Sequence, residues 1–463
     1  MKAGARVAVF GLILVAGCTA DVPYRKMGFS EQPECQAVYE RHEDLRVKNI
    51  PEGDLASPCW LRAREERRDY DLLVAEFDDQ GWVQRSSNLA RPAPDHLDAL
   101  LDQLAALRLK YKDQGLAVVV FTHGWHHNAD ARDGNVSDFR RLLHDVALME
   151  TDGSHRRVVG LYVGWRGQSV PGWLIEDTTF WDRKNTAERV AQGSVRELFE
   201  KLDHFRDRKI DGDGTKGVRM LIIGHSFGGL ITYESLSGNL IRAAARHNSP
   251  DRPVSRLGDM LVIVNPAFEG VRYEPLRVAG QRMRNLSPNQ LPVVIVATST
   301  SDWATRFAFP AARIFSTLLE TTPDNEWSAT VRTVGHNDRY ITHRLDVCAA
   351  DDQPCQRACD GGRALASDVL QPEARQSHFA METRHMQKFS QELGKPSQNL
   401  CDGLKLQSTE QWRPAGNPFW VVQTSGEIMA DHNDIFNPRF VAFVRQMYLA
   451  VVAREGAGTG GPR

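Results

Sequence analysis

Strong net charge, long apolar runs and internal repeats are all missing from this sequence. Its 57 basic and 59 acidic residues nearly cancel, and no block of lysine and arginine is long enough to indicate binding of nucleic acid. Beyond the amino terminus, no apolar run approaches the ~20 residues that a membrane-spanning helix needs. Without a repeat, solenoids and propellers are excluded. The 463 residues are therefore expected to form one large domain with insertions.

The single apolar segment near the amino terminus is typical of a secretory signal. Two basic residues precede the apolar run 7–14, which is too short to span a bilayer. The next residues, Val15-Ala16-Gly17-Cys18, resemble a bacterial lipobox. This resemblance implies a signal peptide over 1–17, lipid attachment at Cys18 and anchorage in a lipid bilayer. Because Thr19 is not the aspartate that retains such lipoproteins at the inner membrane, it also implies an outer-membrane location. An ordinary signal peptide with a chance cysteine is the alternative.

The cysteine count agrees with export from the cytoplasm. Of seven cysteines, the assignment of Cys18 to the lipid leaves an even number, in a compartment where disulfides persist. Clustering favours pairing Cys35 with Cys59 and pairing the other four among themselves. The alternative is a zinc site made by those four, although their spacings are not paired Cys-x2-Cys steps. The four residues are Cys348, Cys355, Cys359 and Cys401.

The most informative motif is Gly224-His225-Ser226-Phe227-Gly228, which follows an apolar strand and precedes a helix-compatible stretch. A serine hydroxyl is a poor nucleophile unless it is held clear of its own chain and aimed at a base. Glycines at 224 and 228 let the chain turn sharply and let strand and helix approach closely, so Ser226 stands at the strand end. We therefore predict that Ser226 is a nucleophile on a strand-turn-helix elbow.

A second apolar strand, over 116–122, ends in His123-Gly124-Trp125. Together with the elbow, this motif resembles the α/β-hydrolase superfamily, in which a His-Gly after the strand that precedes the first major helix forms the oxyanion loop. The resemblance implies that the backbone N–H groups of Trp125 and Phe227 bind the oxyanion. A metal site that uses His123, His126 and His127 is the alternative, but no carboxylate or cysteine lies at ligand spacing beside them.

The family's chain order is serine, acid, histidine, each at a strand end. Two further apolar strands follow the elbow, over 259–264 and 292–297, and the second leads into Asp302. A carboxylate there can hold the imidazole tautomer, so Asp302 is the predicted acid. Its alternatives are a solvated turn aspartate and a helix N-cap. Glu269, which follows the first of the two strands, is the reserve acid.

The base must then lie beyond the acid. His432 alone sits between a last strand, 418–424, and a last helix that begins at 438, so it is the predicted base. His336, in a Gly-His-Asn-Asp sequence, is the competitor. The remaining histidines after the acid are His343, His378 and His385.

These motifs imply an α/β-hydrolase fold, with a mostly parallel central sheet flanked by helices and with cap-like insertions. The aromatic-rich insertion 165–184 follows a strand end and is expected to line the substrate pocket or to pack inside the protein. The longer insertion, 303–417, is expected to form a cap or lid. The expected segments are a signal peptide (1–17), a tether and wrap (18–65), the first part of the core (66–302), a disulfide-stapled cap (303–417) and the last strand and helix (418–463).

The expected function is hydrolysis of carboxylic esters by a membrane-anchored serine hydrolase with Ser226, Asp302 and His432 as its triad. The ester chemistry is implied by the family resemblance and not by these residues. A small molecule or a lipid ester is the expected substrate, and no cofactor, metal or nucleic acid is expected. The alternatives are a lipase or phospholipase acting on envelope lipids and a non-catalytic hydrolase-fold binding module.

Overall fold

The structure is a computed structural model. It describes residues 21–30, 32–41, 52–84, 96–167, 180–207, 217–250, 254, 257–287, 289–317, 319–323, 325–359 and 372–458. The predicted signal peptide and Cys18 lie outside the described residues, as does most of the aromatic-rich insertion, including Trp173.

One 11-stranded sheet organises the described part of the chain, in the order β1-β2-β4-β3-β5-β6-β7-β11-β8-β10-β9. All neighbours from β2 to β8 are parallel, whereas β1, β10 and β9 pair antiparallel at the two edges. The strands are β1 (Arg64–Glu66), β2 (Tyr70–Phe77), β3 (Leu116–Thr122), β4 (Arg157–Trp165), β5 (Val218–His225), β6 (Met260–Val264), β7 (Val294–Ser299), β8 (His343–Val347), β9 (Ser397–Leu400), β10 (Leu404–Ser408) and β11 (Phe419–Thr424).

Helices cover both faces of this sheet. Successive strand residues point to opposite faces, so Val118 and Val120 pack into one core while Val119 and Phe121 pack into the other. Because both faces are covered, the central strands are continuous apolar runs and not alternating ones. The main helices are α1 (Pro33–Glu40), α2 (His96–Lys110), α3 (Gly134–Asp152), α4 (Phe180–Gln192), α5 (Ser194–Asp207), α6 (Phe227–Arg246), α7 (Gly270–Arg282), α8 (Phe309–Ser316), α9 (Trp327–Val331), α10 (Pro372–Gln391) and α11 (Pro438–Gly458).

The predicted α/β class, with a mostly parallel central sheet between helices, is confirmed. Helices α2, α4, α5, α6 and α7 supply side chains to the core on one face, and α3, α10 and α11 supply them to the other. The carboxyl ends of the parallel strands meet at one edge of the sheet, and in open α/β sheets this edge is where ligands bind.

The chain before β2 is tied to the sheet by Glu65, whose side chain is fully buried. It pairs with Arg25 at 3.0 Å, Arg67 at 3.1 Å and Arg140 at 2.6 Å. Burial alone would raise the pKa of this carboxyl, but the three arginines outweigh it and hold the pKa well below the ordinary value of 4.5. The network therefore joins the amino-terminal segment, the first strand and α3.

Three disulfides form among the described cysteines, and the predicted pairing of Cys35 with Cys59 is confirmed. The other two lie between 348 and 401, in the segment predicted to be a cap. Because all four of those sulfurs are in disulfides, the alternative of a four-cysteine zinc site is wrong. The same segment contributes β8, β9 and β10, which extend the sheet beyond β11. The proposed segment boundaries and the role of this insertion as a lid stay predictions.

Candidate active site

Ser226 lies between the end of β5 and the start of α6 and adopts an unusual backbone conformation. Its φ is 55° and its ψ is −120°. Residues other than glycine rarely adopt such a positive φ, and those that do are concentrated at functional sites. Because strand and helix fix both neighbours, Ser226 is held at the tip of the turn with its side chain outside both elements.

Gly224 and Gly228 are required by close packing on either side of Ser226. A Cβ at position 228 would lie 2.2 Å from the carbonyl oxygen of Thr122 and 2.3 Å from that of His123. A Cβ at position 224 would lie 2.7 Å from the hydroxyl of Thr232, on the first turns of α6. The two glycines of the motif are therefore needed because the neighbouring atoms leave no room for a Cβ at either position, as expected for an elbow of this kind.

The structure brings Ser226, His432 and Asp302 together. His432 Nε2 lies 2.9 Å from Ser226 Oγ, and His432 Nδ1 lies 2.8 Å from Asp302 Oδ2. An ionised carboxylate only accepts hydrogen bonds, so Nδ1 carries the imidazole proton and Nε2 is free to accept from the serine hydroxyl. This is the arrangement in which a serine can be deprotonated by a neighbouring base.

Asp302 is buried and yet kept ionised. Burial raises the pKa of its carboxyl, but the hydrogen bond from His432, the charge of His432 and two hydrogen bonds from Thr305 outweigh burial, so the pKa lies below its usual value. The side chain is 0% exposed, against 19% for His432. The acid is thus shielded from water, while the base retains access to solvent.

Two residues that the sequence analysis did not single out hold the His432 loop. The carbonyl oxygen of His432 accepts hydrogen bonds from His225 Nε2 at 2.9 Å and from Asn265 Nδ2 at 3.0 Å. Burial lowers the pKa of His225 well below its ordinary value, so it acts as a neutral donor. His225 belongs to the elbow motif and Asn265 follows β6 at a φ of 43°. Only their positions at strand ends could have indicated this role.

The Gly124–Trp125 backbone passes directly beside Ser226. A Cβ on Gly124 would lie 2.9 Å from the Ser226 Cβ, and the rings of Trp125 and Phe227 are 6.1 Å apart. Phe227 opens α6, and N–H groups in a first helical turn have no acceptor within the helix. The Gly124–Trp125 backbone and the first turn of α6 thus both lie next to the serine.

His123 fixes the conformation of this loop. Its Nδ1 donates to the Gly124 carbonyl at 2.9 Å, and its Nε2 accepts from the Trp165 N–H at 3.0 Å. The Trp165 indole N–H in turn donates to the His123 carbonyl at 2.9 Å. Burial lowers the pKa of His123 to about 4, so the ring is neutral near pH 7 and both of its nitrogens are used.

The reserve acid Glu269 is engaged elsewhere. Its carboxylate contacts Lys184 at 3.1 Å, Arg272 at 2.8 Å and Arg313 at 3.0 Å. Burial raises its pKa, but these three cations outweigh burial and lower it overall. Glu269 is therefore the centre of a buried ionic cluster, and the carboxylate that contacts His432 is that of Asp302.

The competing base, His336, also lies near the acid but does not contact the serine. Its Nε2 is 3.1 Å from the hydroxyl of Thr305, and that hydroxyl donates to Asp302. Burial lowers the pKa of His336 to about 4. The structure therefore connects His336 to the carboxylate of Asp302 through the Thr305 hydroxyl.

The three histidines after β3 are directed to different partners. The His126 ring stacks on Trp125 with centroids 4.0 Å apart, and His127 Nδ1 lies 3.0 Å from Asp133. Since the ring nitrogens of His123 are both used, these histidines do not converge on one point.

Elsewhere among the described residues, two groups have ligand atoms within 4.8 Å of one another. One contains Cys359 and Cys401, which are disulfide-bonded and offer no thiolate. The other is His378, Glu382 and Asp402, where Arg445 binds both carboxylates, at 2.8 Å and 2.9 Å. Both carboxylates of the second group are therefore already bound by an arginine.

Aromatic side chains surround the backbone of Trp125 and Phe227. The Phe180 ring lies 5.5 Å from Trp125, 5.3 Å from Phe227 and 6.0 Å from Phe309. These rings form an apolar wall beside Ser226. A separate cavity of about 980 Å³ lies between the other face of the sheet and helices α3 and α11, and neither Ser226 nor His432 lines it.

The segment that follows Asp302 exposes large apolar side chains. Trp303 is 67% exposed and Phe315 is 76% exposed. More than half of the exposed large apolar side chains in the described part of the chain lie between 303 and 327. They are Trp303, Phe307, Ile314, Phe315, Leu319 and Trp327. Concentrated exposure of this kind marks interaction surfaces more often than solitary apolar residues do.

The chain matches no protein-family model, no curated protein and no solved structure. Among the helices in the described ranges, none combines the length and the apolar character that crossing a membrane requires. Its function must therefore be inferred from the chemistry of the site and from the motifs in the sequence.

Proposed function

We propose that the protein is a serine hydrolase that cleaves carboxylic esters through an acyl-enzyme intermediate. The observation that supports this proposal is the continuous hydrogen-bond chain from Ser226 Oγ through His432 to the buried carboxylate of Asp302. Nucleophile, base and orienting acid are at hydrogen-bond distance, and each is supplied by a different strand end. We also infer from the elbow and the His-Gly loop that the fold is that of an α/β-hydrolase.

In the first half of the reaction, Ser226 Oγ attacks the ester carbonyl carbon and His432 Nε2 takes the serine proton. Asp302 holds the Nδ1 proton and stabilises the imidazolium without becoming protonated itself. The tetrahedral intermediate then collapses, the bond to the alcohol oxygen breaks, and His432 returns its proton to that oxygen. The acyl group stays on Ser226.

In the second half, water replaces the alcohol. His432 removes a proton from the water as it attacks the acyl carbon, and later returns that proton to Ser226 Oγ. The carboxylic acid leaves and the enzyme is restored. The solvent access that His432 retains suits this exchange.

In both halves the carbonyl oxygen gains negative charge, and the backbone N–H groups of Trp125 and Phe227 would stabilise that charge by hydrogen bonding. In comparable sites, fixed donors to this oxygen are usually the largest contribution to the rate enhancement, and loss of one donor lowers the rate by about two to three orders of magnitude. Rigidity matters here, and the three hydrogen bonds that tie His123 to Gly124 and Trp165 supply it on one side.

Covalent labelling tests the proposal most directly. A fluorophosphonate probe should form one adduct per chain, and peptide mass spectrometry should locate it at Ser226. The matched control is Ser235→Ala, since Ser235 lies in α6, the helix that Ser226 precedes, and donates to the Ile231 carbonyl in the helix interior. Labelling should disappear in Ser226→Ala and persist in Ser235→Ala. A purified, folded wild-type protein that takes up no probe would instead favour a binding module on a hydrolase fold.

A second candidate function is hydrolysis of lipid esters at a membrane surface. The specific observation in its favour is the row of exposed apolar side chains at 303–327, immediately after the acid. Tryptophan and phenylalanine with an adjacent arginine are typical of surfaces that lie in a lipid interface, and Arg306 stacks on Phe307 at 5.2 Å.

Activity on water-soluble and on dispersed esters distinguishes a general esterase from an enzyme that acts on lipid. If the substrate is lipid, replacement of Phe307 and Phe315 by serine should lower activity on a vesicle-borne phospholipid or emulsified triacylglycerol. Activity on a short, water-soluble ester should be retained. Equal effects on both substrates would remove the support for a lipid substrate.

We further propose that Cys18 carries lipid and anchors the protein at the outer membrane. The lipobox-like sequence before Cys18 and the even number of remaining cysteines support this location. Several acyl chains on one residue exceed what stable anchorage requires.

A further inference from the structure

The carboxylate of Asp302 is held by more than His432. The Thr305 N–H donates to Oδ1 at 3.1 Å, and the Thr305 hydroxyl donates to Oδ2. Oδ2 is also the atom that accepts from His432 Nδ1. Because the two donors share one oxygen, a change at the threonine hydroxyl alters how strongly that oxygen accepts from the histidine.

His336 lies on the far side of the same hydroxyl. Its Nε2 is 3.1 Å from Thr305 Oγ1. The single hydroxyl proton is directed at Asp302, so the hydroxyl oxygen can only accept from His336, which must carry its proton on Nε2. Burial holds the pKa of His336 at about 4, and the ring is therefore a neutral donor throughout the range where an exposed histidine titrates.

We propose that Thr305 and His336 are positioning residues, forming a hydrogen-bond relay that holds Asp302 in place and moderates how strongly its Oδ2 attracts the proton of His432. This inference rests on the proposed function, because it assigns a role within the same triad. Donors in series polarise one another, so the neutral His336 strengthens the bond that Thr305 donates.

The groups that act on His336 define the expected behaviour. Asp302 favours its protonated form, whereas Arg306, Arg332 and His432 oppose it. Burial and these three groups outweigh the carboxylate, so His336 stays neutral when His432 changes charge. The relay therefore donates in both states of the reaction.

Removal of the relay should shift the pH dependence of the serine's reactivity. Thr305→Val removes the hydroxyl at similar volume and leaves His432 as the one side-chain donor to Asp302 Oδ2 among the described residues. The less satisfied carboxylate stabilises the imidazolium more strongly, so a higher pH is needed to free Nε2. We expect the acid limb of the pH–rate profile to move upward by about one unit, in line with the loss of one hydrogen bond to a charged group.

The variants can be matched at both positions. Thr305→Ser keeps a hydroxyl and should keep the wild-type profile. His336→Phe removes the donor and should shift the profile in the same direction as Thr305→Val but by less, whereas His336→Gln retains an N–H donor and should restore it in part. His343→Phe is the control, because His343 is also buried with a lowered pKa of about 3 but contacts Thr342, at 2.9 Å, and not the acid.

The readout is the second-order rate of fluorophosphonate labelling at Ser226 as a function of pH. It needs no knowledge of the natural substrate. An upward shift in Thr305→Val and His336→Phe, with Thr305→Ser and His343→Phe unchanged, supports the relay. Lower rates at every pH with an unchanged acid limb overturn it and assign both residues a structural role.

This test separates the relay from the proposed function. Without labelling of wild-type Ser226 the function itself fails, while normal labelling with an unshifted Thr305→Val profile rejects the relay alone. If His336→Phe does not fold, the Nδ1 proton resonance of His432 in Thr305→Val provides a second readout. It should move downfield because Asp302 accepts more strongly, and an unmoved resonance overturns the proposal.

Discussion

His432 Nε2 lies 2.9 Å from Ser226 Oγ although 206 residues separate the two in sequence. The sheet makes this contact possible. Ser226 follows β5 and His432 follows β11, and only β6 and β7 lie between those strands. Since all four strands are parallel, their carboxyl ends share one edge. Asp302, which follows β7, lies at the same edge and contacts His432 Nδ1 at 2.8 Å.

We predict that Ser226→Ala and His432→Ala each lower turnover of a small activated ester by about four to six orders of magnitude. The double variant should be no worse than the poorer single variant, because triad members act as a unit. Steady-state rates of purified variants, with thermal unfolding as the check on folding, test this. Additive losses would contradict a shared mechanism.

A second prediction contrasts the two candidate acids. Asp302→Asn should lower turnover by about four orders of magnitude, because an amide at this position favours the wrong imidazole tautomer. Glu269→Gln should leave turnover within a few-fold of wild type but lower the free energy of unfolding by about 1–3 kcal/mol, since Arg313 loses its carboxylate while Lys184 and Arg272 keep their contacts with Glu188. Ester hydrolysis and denaturant unfolding measure the two effects.

The two variants are thus expected to fail in different assays, Asp302→Asn in turnover and Glu269→Gln in stability. Each variant serves as the control for the other, because both replace a buried carboxylate by its amide. A turnover loss in Glu269→Gln that equals the loss in Asp302→Asn would reassign the acid or show that both changes act through folding.

The local parts of this arrangement could be predicted from sequence, because they depend on neighbouring residues. The run before Ser226 is apolar throughout since both faces of β5 are covered, and the glycines at 224 and 228 mark close approaches within the motif. The α/β class follows from such runs alternating with amphipathic helices.

The non-local parts could not be predicted in the same way. His432 is preferred to His336 because of the family's chain order and its place between the last strand and the last helix, and nothing in either local sequence shows which histidine contacts Ser226. The sequence around Thr305 does not indicate a role beside the acid, since a buried threonine on a helical turn is usually a packing residue. Strand order decides such contacts, including the pairing of β8 with β11.

We predict that Glu65 makes the free energy of unfolding fall as the medium is acidified. Its pKa is lower in the folded chain than its ordinary value of 4.5, so its stabilisation is fully present above that value and is lost as the pH falls through the folded-state value. Glu65→Gln should be less stable than wild type by about 3–5 kcal/mol at neutral pH. The difference should shrink below about pH 4.5, as measured by denaturant unfolding at several pH values.

An exposed ion pair provides the control for Glu65. Glu392 contacts Lys395 at 2.8 Å on the surface, and pairs of this kind contribute little. Glu392→Gln should leave the unfolding curve unchanged at every pH. A Glu65→Gln deficit that stays constant as the medium is acidified would contradict the role assigned to the three arginines.

The three disulfides should stabilise the fold in the order of the loops they close. Their sequence separations are 7 for Cys348–Cys355, 24 for Cys35–Cys59 and 42 for Cys359–Cys401. Loop entropy gives losses of about 2, 3 and 4 kcal/mol on replacing each pair by alanine. Unfolding midpoints of the three double variants check the ranking, and an inverted order would indicate that local packing outweighs chain entropy.

Cys18 is predicted to be the residue that anchors the protein. Cys18→Ser should abolish lipid attachment and leave an unprocessed or soluble envelope protein, because no other residue in the lipobox-like sequence can carry the acyl chains. Partitioning into a detergent phase and mass spectrometry of the mature amino terminus are the measurements. Cys35→Ser, combined with Cys59→Ser, is the control for loss of cysteine as such and should still partition with detergent. A Cys18→Ser protein that remains with outer membranes must be held by another surface, and the exposed apolar side chains at 303–327 would then be the first to replace.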